Sequence, residues 1–175
     1  CGPLNMRGHA IEVRLYAEDP SNNFLPAIGE LKKFIAPTGP GVRLDTGVRE
    51  GDAVTPDYDP MLAKLIVWAP SRVEALERMR RALDEFVVLG TTTNIRFLRE
   101  LCDNRDVVSG RTDTTLIDRF WPDGWTPTYS DSSLDTALMA AAVSESAGLH
   151  RTQVPKTESS NGPVSPFQTL NRRYP

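Results

Sequence analysis

Two histidines and two cysteines are all that these 175 residues contain of either type. That scarcity closes off several kinds of chemistry. His9 and His150 cannot build a multi-histidine metal centre, and neither sits beside a matching nucleophile, so no Ser-His-Asp set is available. Cys1 and Cys102 are far apart and make neither a disulfide framework nor a metal-ligand cluster. Such sparing cysteine use fits a reducing cytosol or an organelle matrix. No glycine-rich phosphate loop precedes a helix, and no Walker-type motif is present. No apolar run is long enough to span a bilayer, and no secretory signal is visible, so a membrane partner is not expected. The formal net charge of −3 gives no general attraction to nucleic acid. Internal repeats at a fixed period are also missing. What remains is an ordinary globular balance, 25% charged and 39% hydrophobic, enough for one domain with a core plus a tail. Cys1-Gly2-Pro3 can be a cloning remnant as readily as native chain, and stays outside the argument.

The stretch from Arg7 to Pro20 carries most information. It reads as one strand with two unlike faces: Ile11, Val13 and Leu15 on an apolar side, Glu12, Arg14 and Tyr16 on the other. The polar row is either a simply wet outer face or a place where a fixed guanidinium meets a developing negative charge. Pairing Glu12 with Asp59 as two working carboxylates has no support from spacing. Glu18-Asp19 before Pro20 is the chemistry of a turn or cap.

Further on, Glu30 to Ala36 predicts a short strand, Pro37 to Gly41 a hairpin turn, and Val42 to Val48 a strand with Arg43 and Asp45 on its polar side. Met61 to Trp68 is nearly continuous in apolar residues and reads as a buried strand, in which Lys64 needs a partner or a route to water. Ser71-Arg72-Val73-Glu74 is a capping box that opens a helix with Val73, Leu76, Met79, Leu83 and Phe86 on one face. Glu74 with Arg78 and Glu77 with Arg81 are spaced as i, i+4 pairs. Phe86 to Gly90 predicts a strand, Thr93 onward a second helix with Ile95, Leu98 and Leu101 inward, and Asp113 the cap of a third with Leu116, Ile117 and Phe120. Pro122 to Pro127 reads as a linker, and about Ser133 to Ala147 as a further helix closed by Gly148. Residues 151–166 have a flexible composition, and 167–175 look like the start of a following region.

Arg7-Gly8-His9-Ala10-Ile11-Glu12-Val13-Arg14 with Ala17-Glu18-Asp19-Pro20 closely resembles the opening of the C-terminal domain of biotin carboxylase. So do Phe24-Leu25-Pro26 with Gly29, Gly39-Pro40-Gly41-Val42-Arg43 with Asp45, Tyr58-Asp59-Pro60-Met61-Leu62-Ala63-Lys64-Leu65, and Thr93-Asn94 after Gly90. These motifs occur in order over roughly residues 5–121, and an ordered set is far more specific than any one of them. The resemblance implies an α+β fold of the rudiment hybrid type, an antiparallel β-sheet flanked by helices, with a helical and flexible C-terminal tail. It implies a ligase, which uses ATP and magnesium to activate bicarbonate through carboxyphosphate and carboxylates a ureido nitrogen of biotin on a separate carrier domain. ATP and Mg2+ belong mainly to an ATP-grasp region that precedes this domain in the family and is absent here, so the isolated chain is expected to be inactive. No metal ligand is assigned to this chain.

By the same resemblance Arg14 is catalytic and contacts biotin, stabilising its enolate. A planar, permanently charged guanidinium suits that task, whereas Lys lacks the fork and can lose its proton. Glu12 then fixes Arg14, or less directly accepts a proton. Asp59 orients an arginine, either Arg14 or one at an interface, or simply forms a turn. Arg43 matches an arginine near the homodimer interface, or is an exposed arginine paired with Asp45 across a turn. Lys64 has the reading of a buried structural lysine. Residues 122–166 continue past the end of the shortest biotin carboxylases, as in the alpha chains of propionyl-, methylcrotonyl- and acetyl-CoA carboxylases. Those chains imply a carboxyltransferase subunit, a biotin carboxyl carrier domain and a homo-oligomer as partners, in the cytoplasm or, for a eukaryotic chain, the mitochondrial matrix. No Met-Lys biotinylation motif is present, so biotin is not expected on this chain itself. Two rivals remain: a non-catalytic dimerisation or assembly module, and the same domain of a urea- or pyruvate-type carboxylase.

Overall fold

The computed structural model describes residues 5–128, 136, 138–140 and 142–143. In chain order the first elements are β1 (His9–Tyr16), β2 (Glu18–Asp19), a 3₁₀ turn (Pro20–Asn22), β3 (Leu25–Pro26), β4 (Gly29–Glu30), β5 (Lys33–Ile35), β6 (Val42–Thr46) and β7 (Ala53–Val54). There follow β8 (Met61–Ala69), α1 (Arg72–Glu85), β9 (Val87–Leu89), α2 (Ile95–Leu101), α3 (Arg105–Ser109) and α4 (Leu116–Phe120). β8 lies between β1 and β6, antiparallel to both. The pairs β2–β3, β4–β7 and β5–β9 are small antiparallel ribbons. The α+β class with an antiparallel sheet and flanking helices is as expected.

Alternation decides which side of the sheet is core. Register places Ile11, Val67 and Val42 in one inward row and Val13, Leu65 and Leu44 in the next. The core joins Leu15, Ala63, Leu65 and Val67 to Leu76, Met79, Ala82 and Leu83 of α1 and to Phe97 and Leu98 of α2. Full burial of one such Leu or Met is worth about 1.5–3 kcal/mol. Phe24 edges onto Phe97 with ring centres 5.1 Å apart. That contact helps hold a bulky residue at φ 57, after Asn23 at φ 55, in the left-handed region.

Ser71 starts α1: its Oγ accepts from the Glu74 amide at 3.3 Å and donates to Glu74 Oε2 at 2.7 Å. The carboxylate thus grips the hydroxyl, a variant of the expected box. Val73 is 58% exposed, so the buried stripe of α1 starts later, at Ala75 and Leu76. The expected i, i+4 pairs give way to longer reaches. Arg78 donates to the Trp68 carbonyl, and Arg80 Nε lies 2.7 Å from Asp103. Arg72 Nη1 bonds His9 Nε2 at 2.8 Å while its Nε donates to the Val108 carbonyl, tying the start of β1 to α3.

Three expectations are corrected. Residues 30–36 form two strands rather than one, because the chain changes partners at Leu31. There the Leu31 backbone bonds Gly51 and Asp52, and Lys32 turns to Leu89. The helix α3 was not foreseen; Asn104 caps it by accepting from the Asp106 and Val107 amides. Residues 122–127 are not a loose linker. Trp125 is 4% exposed, sits edge-on to Phe97 and donates from Nε1 to Glu100 Oε2 at 2.8 Å. Trp125 thus belongs to the compact unit that reaches Thr128. Of the helix expected over about 133–147, the described residues Thr136, 138–140 and 142–143 are helical. Residues 151–166 and 167–175 lie outside the described residues.

Candidate active site

The outward face of the sheet carries the charged residues. Register sets Arg14 beside Lys64 and Lys64 beside Asp45 in one row, with Glu12, Ile66 and Arg43 in the next. A single lysine in an apolar strand looked structural. Its position in β8 instead turns it, by alternation, onto this face, where its positive charge helps hold the Asp45 carboxyl down. A groove of about 340 Å³ runs alongside, lined by the 45–47 and 61–64 segments.

The two arginines of this face differ in how they are held. Arg43 grips Asp45 with both arms of its fork, Nε to Oδ1 at 2.8 Å and Nη2 to Oδ2 at 2.9 Å. Arg43 is thus the first cause holding the Asp45 carboxyl below the usual aspartate range, with Lys64 a smaller one. The pair lies along one strand rather than across a turn. Arg14 is looser: its Nε is 3.9 Å from Glu12 Oε1, and both side chains are about half exposed. Such a contact aligns the guanidinium and contributes little to stability. Its fork is left for another anion.

Asp59 is not brought to Arg14. Its Oδ1 accepts from the Met61 amide at 2.8 Å, which is the turn-forming role. It also faces Glu18, whose carboxyl is pushed above the usual glutamate range by burial first and by the Asp59 charge second.

The Thr93-Asn94 motif carries a residue of this region whose role its sequence context does not disclose. Asn94 is 6% exposed, and its side chain reaches the free edge of β1: Oδ1 accepts from the Tyr16 amide at 3.0 Å and Nδ2 donates to the Arg14 carbonyl at 3.1 Å. A sequence signal was available in retrospect, since a helix-opening Asn is also free to bond elsewhere. The partner, 80 residues away, was not readable. Among the described residues, no group of three or more His, Cys, Asp or Glu side chains is placed to hold a metal ion, and no helix is long and apolar enough to cross a membrane.

Residues 12–119 match the family model of the biotin carboxylase C-terminal domain. The chain belongs to that family. Its biotin carboxylase relatives include the mitochondrial methylcrotonoyl-CoA carboxylase subunit alpha of Glycine max, 40% identical over 141 residues, 81% of this chain and 19% of that one. The mitochondrial propionyl-CoA carboxylase alpha chain of Homo sapiens is 41% identical over 143 residues, 81% of this chain and 20% of that one. Among solved structures, the biotin carboxylase domain dimer of Hydrogenobacter thermophilus 2-oxoglutarate carboxylase, with MgADP, ADP and bicarbonate, is similar with a TM-score of 0.65. That match is 36% identical and covers 68% of this chain and 26% of that one. The chain thus spans about a fifth of the length of the curated relatives it matches.

Proposed function

We propose that this domain forms one wall of the biotin carboxylation site of an acyl-CoA carboxylase. The observation that carries the reading is Arg14: a permanent cation on a rigid strand, half exposed and only loosely paired. Carrier-bound biotin is the substrate of this half-reaction. Arg14 meets the negative charge that gathers on the ureido oxygen as the ring nitrogen becomes nucleophilic, and Lys64 adds a second positive charge one strand away. Glu12 limits the orientations open to Arg14. MgATP, held by the preceding ATP-grasp region, supplies the activation of bicarbonate. Among the described residues no group of three or more His, Cys, Asp or Glu side chains is placed to hold the metal on this chain by itself.

The methylcrotonoyl- and propionyl-CoA relatives favour the acyl-CoA class over a pyruvate or urea type. The partners are then the ATP-grasp region, a biotin carboxyl carrier domain, a carboxyltransferase subunit and a second copy of the domain. Their mitochondrial setting supports the matrix for a eukaryotic chain, and the cytoplasm otherwise. An assembly role for the same face is favoured by one observation: Trp68, two and four residues along β8 from Ile66 and Lys64 and so on their side by alternation, is 48% exposed, as at a protein contact. The deciding experiment is Arg14→Gln in the full-length enzyme. Carboxylation of free biotin is expected to fall about 10²–10³-fold, the usual loss for one oxyanion donor. Near-normal carboxylation would remove Arg14 from the reaction and leave the assembly reading.

A further inference from the structure

Asn94 occupies the position before the first turn of α2, where an Asn ordinarily accepts from an amide of the second or third helical residue. Its side chain makes no such cap bond. A cap of that kind stabilises a helix measurably, so its absence calls for a reason. The carboxamide turns to β1. Oδ1 takes the Tyr16 amide, Nδ2 gives to the Arg14 carbonyl, and the Asn94 amide donates to the Tyr16 carbonyl at 3.2 Å. A single residue therefore bonds three successive polar groups of the β1 edge, as a neighbouring strand would.

The place is significant. β1 is an edge strand, held on its other side by β8 alone. The β1–β8 register slips between Leu15, which still pairs with Ala63, and Tyr16, which pairs with Met61, so a bulge lies one residue past Arg14. Without support from the other side, the backbone carrying Arg14 would be free to shift with the slip. Asn94 supplies that support, and α2 is itself anchored by the buried Phe97 and Leu98. The clamp connects the backbone of Arg14 to the hydrophobic core.

We propose that Asn94 is a positioning residue for the carboxylation reaction: it fixes the Arg14 backbone so that the guanidinium stays aimed at the ureido oxygen. This rests on the role of Arg14 given above. The chemistry demands a carboxamide of this length. Leu would leave the Tyr16 amide and Arg14 carbonyl unpaired, Gln would overshoot by a methylene, and Asp would keep the acceptor but lose the donor to Arg14.

The test uses the full-length carboxylase with Asn94→Asp, Arg14→Gln and the double variant. Asn94→Asp is expected to lower kcat for biotin carboxylation about 10- to 100-fold, the scale of a misplaced catalytic group, while the KM for ATP stays within about twofold. The double variant is expected to be no slower than Arg14→Gln alone, because Asn94 acts through Arg14. Multiplying losses would make Asn94 an independent structural residue and overturn the proposal. Normal turnover by Asn94→Asp beside an impaired Arg14→Gln overturns the proposal alone; normal turnover by Arg14→Gln overturns the function beneath it. Should Asn94→Asp not fold, hydrogen exchange on the wild-type enzyme decides. The Tyr16 amide is expected to be protected, and exchange at the rate of an open edge amide would refute the clamp.

Discussion

Arg14 and Arg43 stand on one face with β8 between them, and their partners make them unlike. Arg43 spends its fork on Asp45, whereas Arg14 has a single contact at 3.9 Å. A lysine at position 14 would keep the charge and lose the fork. Arg14→Lys in the full-length enzyme is therefore expected to fall between wild type and Arg14→Gln in carboxylation rate, measured with saturating biotin. A rate equal to wild type would mean that charge alone suffices. Glu18 gives a residue-level test by pH. Burial, and then the Asp59 charge, holds its carboxyl above the usual glutamate range. As pH rises the unfolded chain releases this proton first, so stability falls across the interval between the two values and stays lower above it. Glu18→Gln is expected to raise Tm at neutral pH and to leave it unchanged below about pH 3, where both states are protonated. Melting curves at the two pH values check this. The role of Asp59 could not be read from its neighbours. A carboxylate before a proline serves a turn or a distant arginine equally well, and only the fold shows it capping Met61.

Elements with a clean period were legible, and elements chosen by distant partners were not. The apolar alternation of β1, the nearly continuous apolar run of β8 and the stripe of α1 follow from local pattern, which is why their bounds agree with the reading to within a few residues. Nothing local says that the chain changes partners at Leu31, or that Trp125 enters the core beside Phe97. A Trp between Gly and Thr-Pro has the composition of a linker; its burial depends on a pocket made by α2. Trp125→Ala is expected to cost about 3–5 kcal/mol in denaturant unfolding, the scale of a large core truncation. A loss under about 1 kcal/mol would return residues 122–128 to the linker class. At the start of α1, Ser71→Ala is expected to cost about 1 kcal/mol by the same measurement, since it removes both Glu74 contacts.

At the scale of the molecule, the described residues contain a packed scaffold with a charged sheet face, and no group of three or more His, Cys, Asp or Glu side chains placed to hold a metal ion. Purified chain is expected to release no phosphate from ATP in the presence of bicarbonate and free biotin. Detectable bicarbonate-dependent release would contradict the division of labour proposed here. The helices and aromatic rings of the core cover the inner side of the sheet, while Glu12, Arg14, Arg43 and Asp45 stand on the other side with their side chains in contact with solvent. In the proposed function, folding and chemistry are therefore written on opposite sides of the same three strands. On that proposal, substitutions on the wet side would change stability little and turnover strongly. A library varied at positions 12, 14, 43, 45 and 64 should cluster within about 0.5 kcal/mol in stability yet scatter over orders of magnitude in rate. Such a surface can acquire a new acceptor or a new partner by stepwise mutation without first being rescued from unfolding.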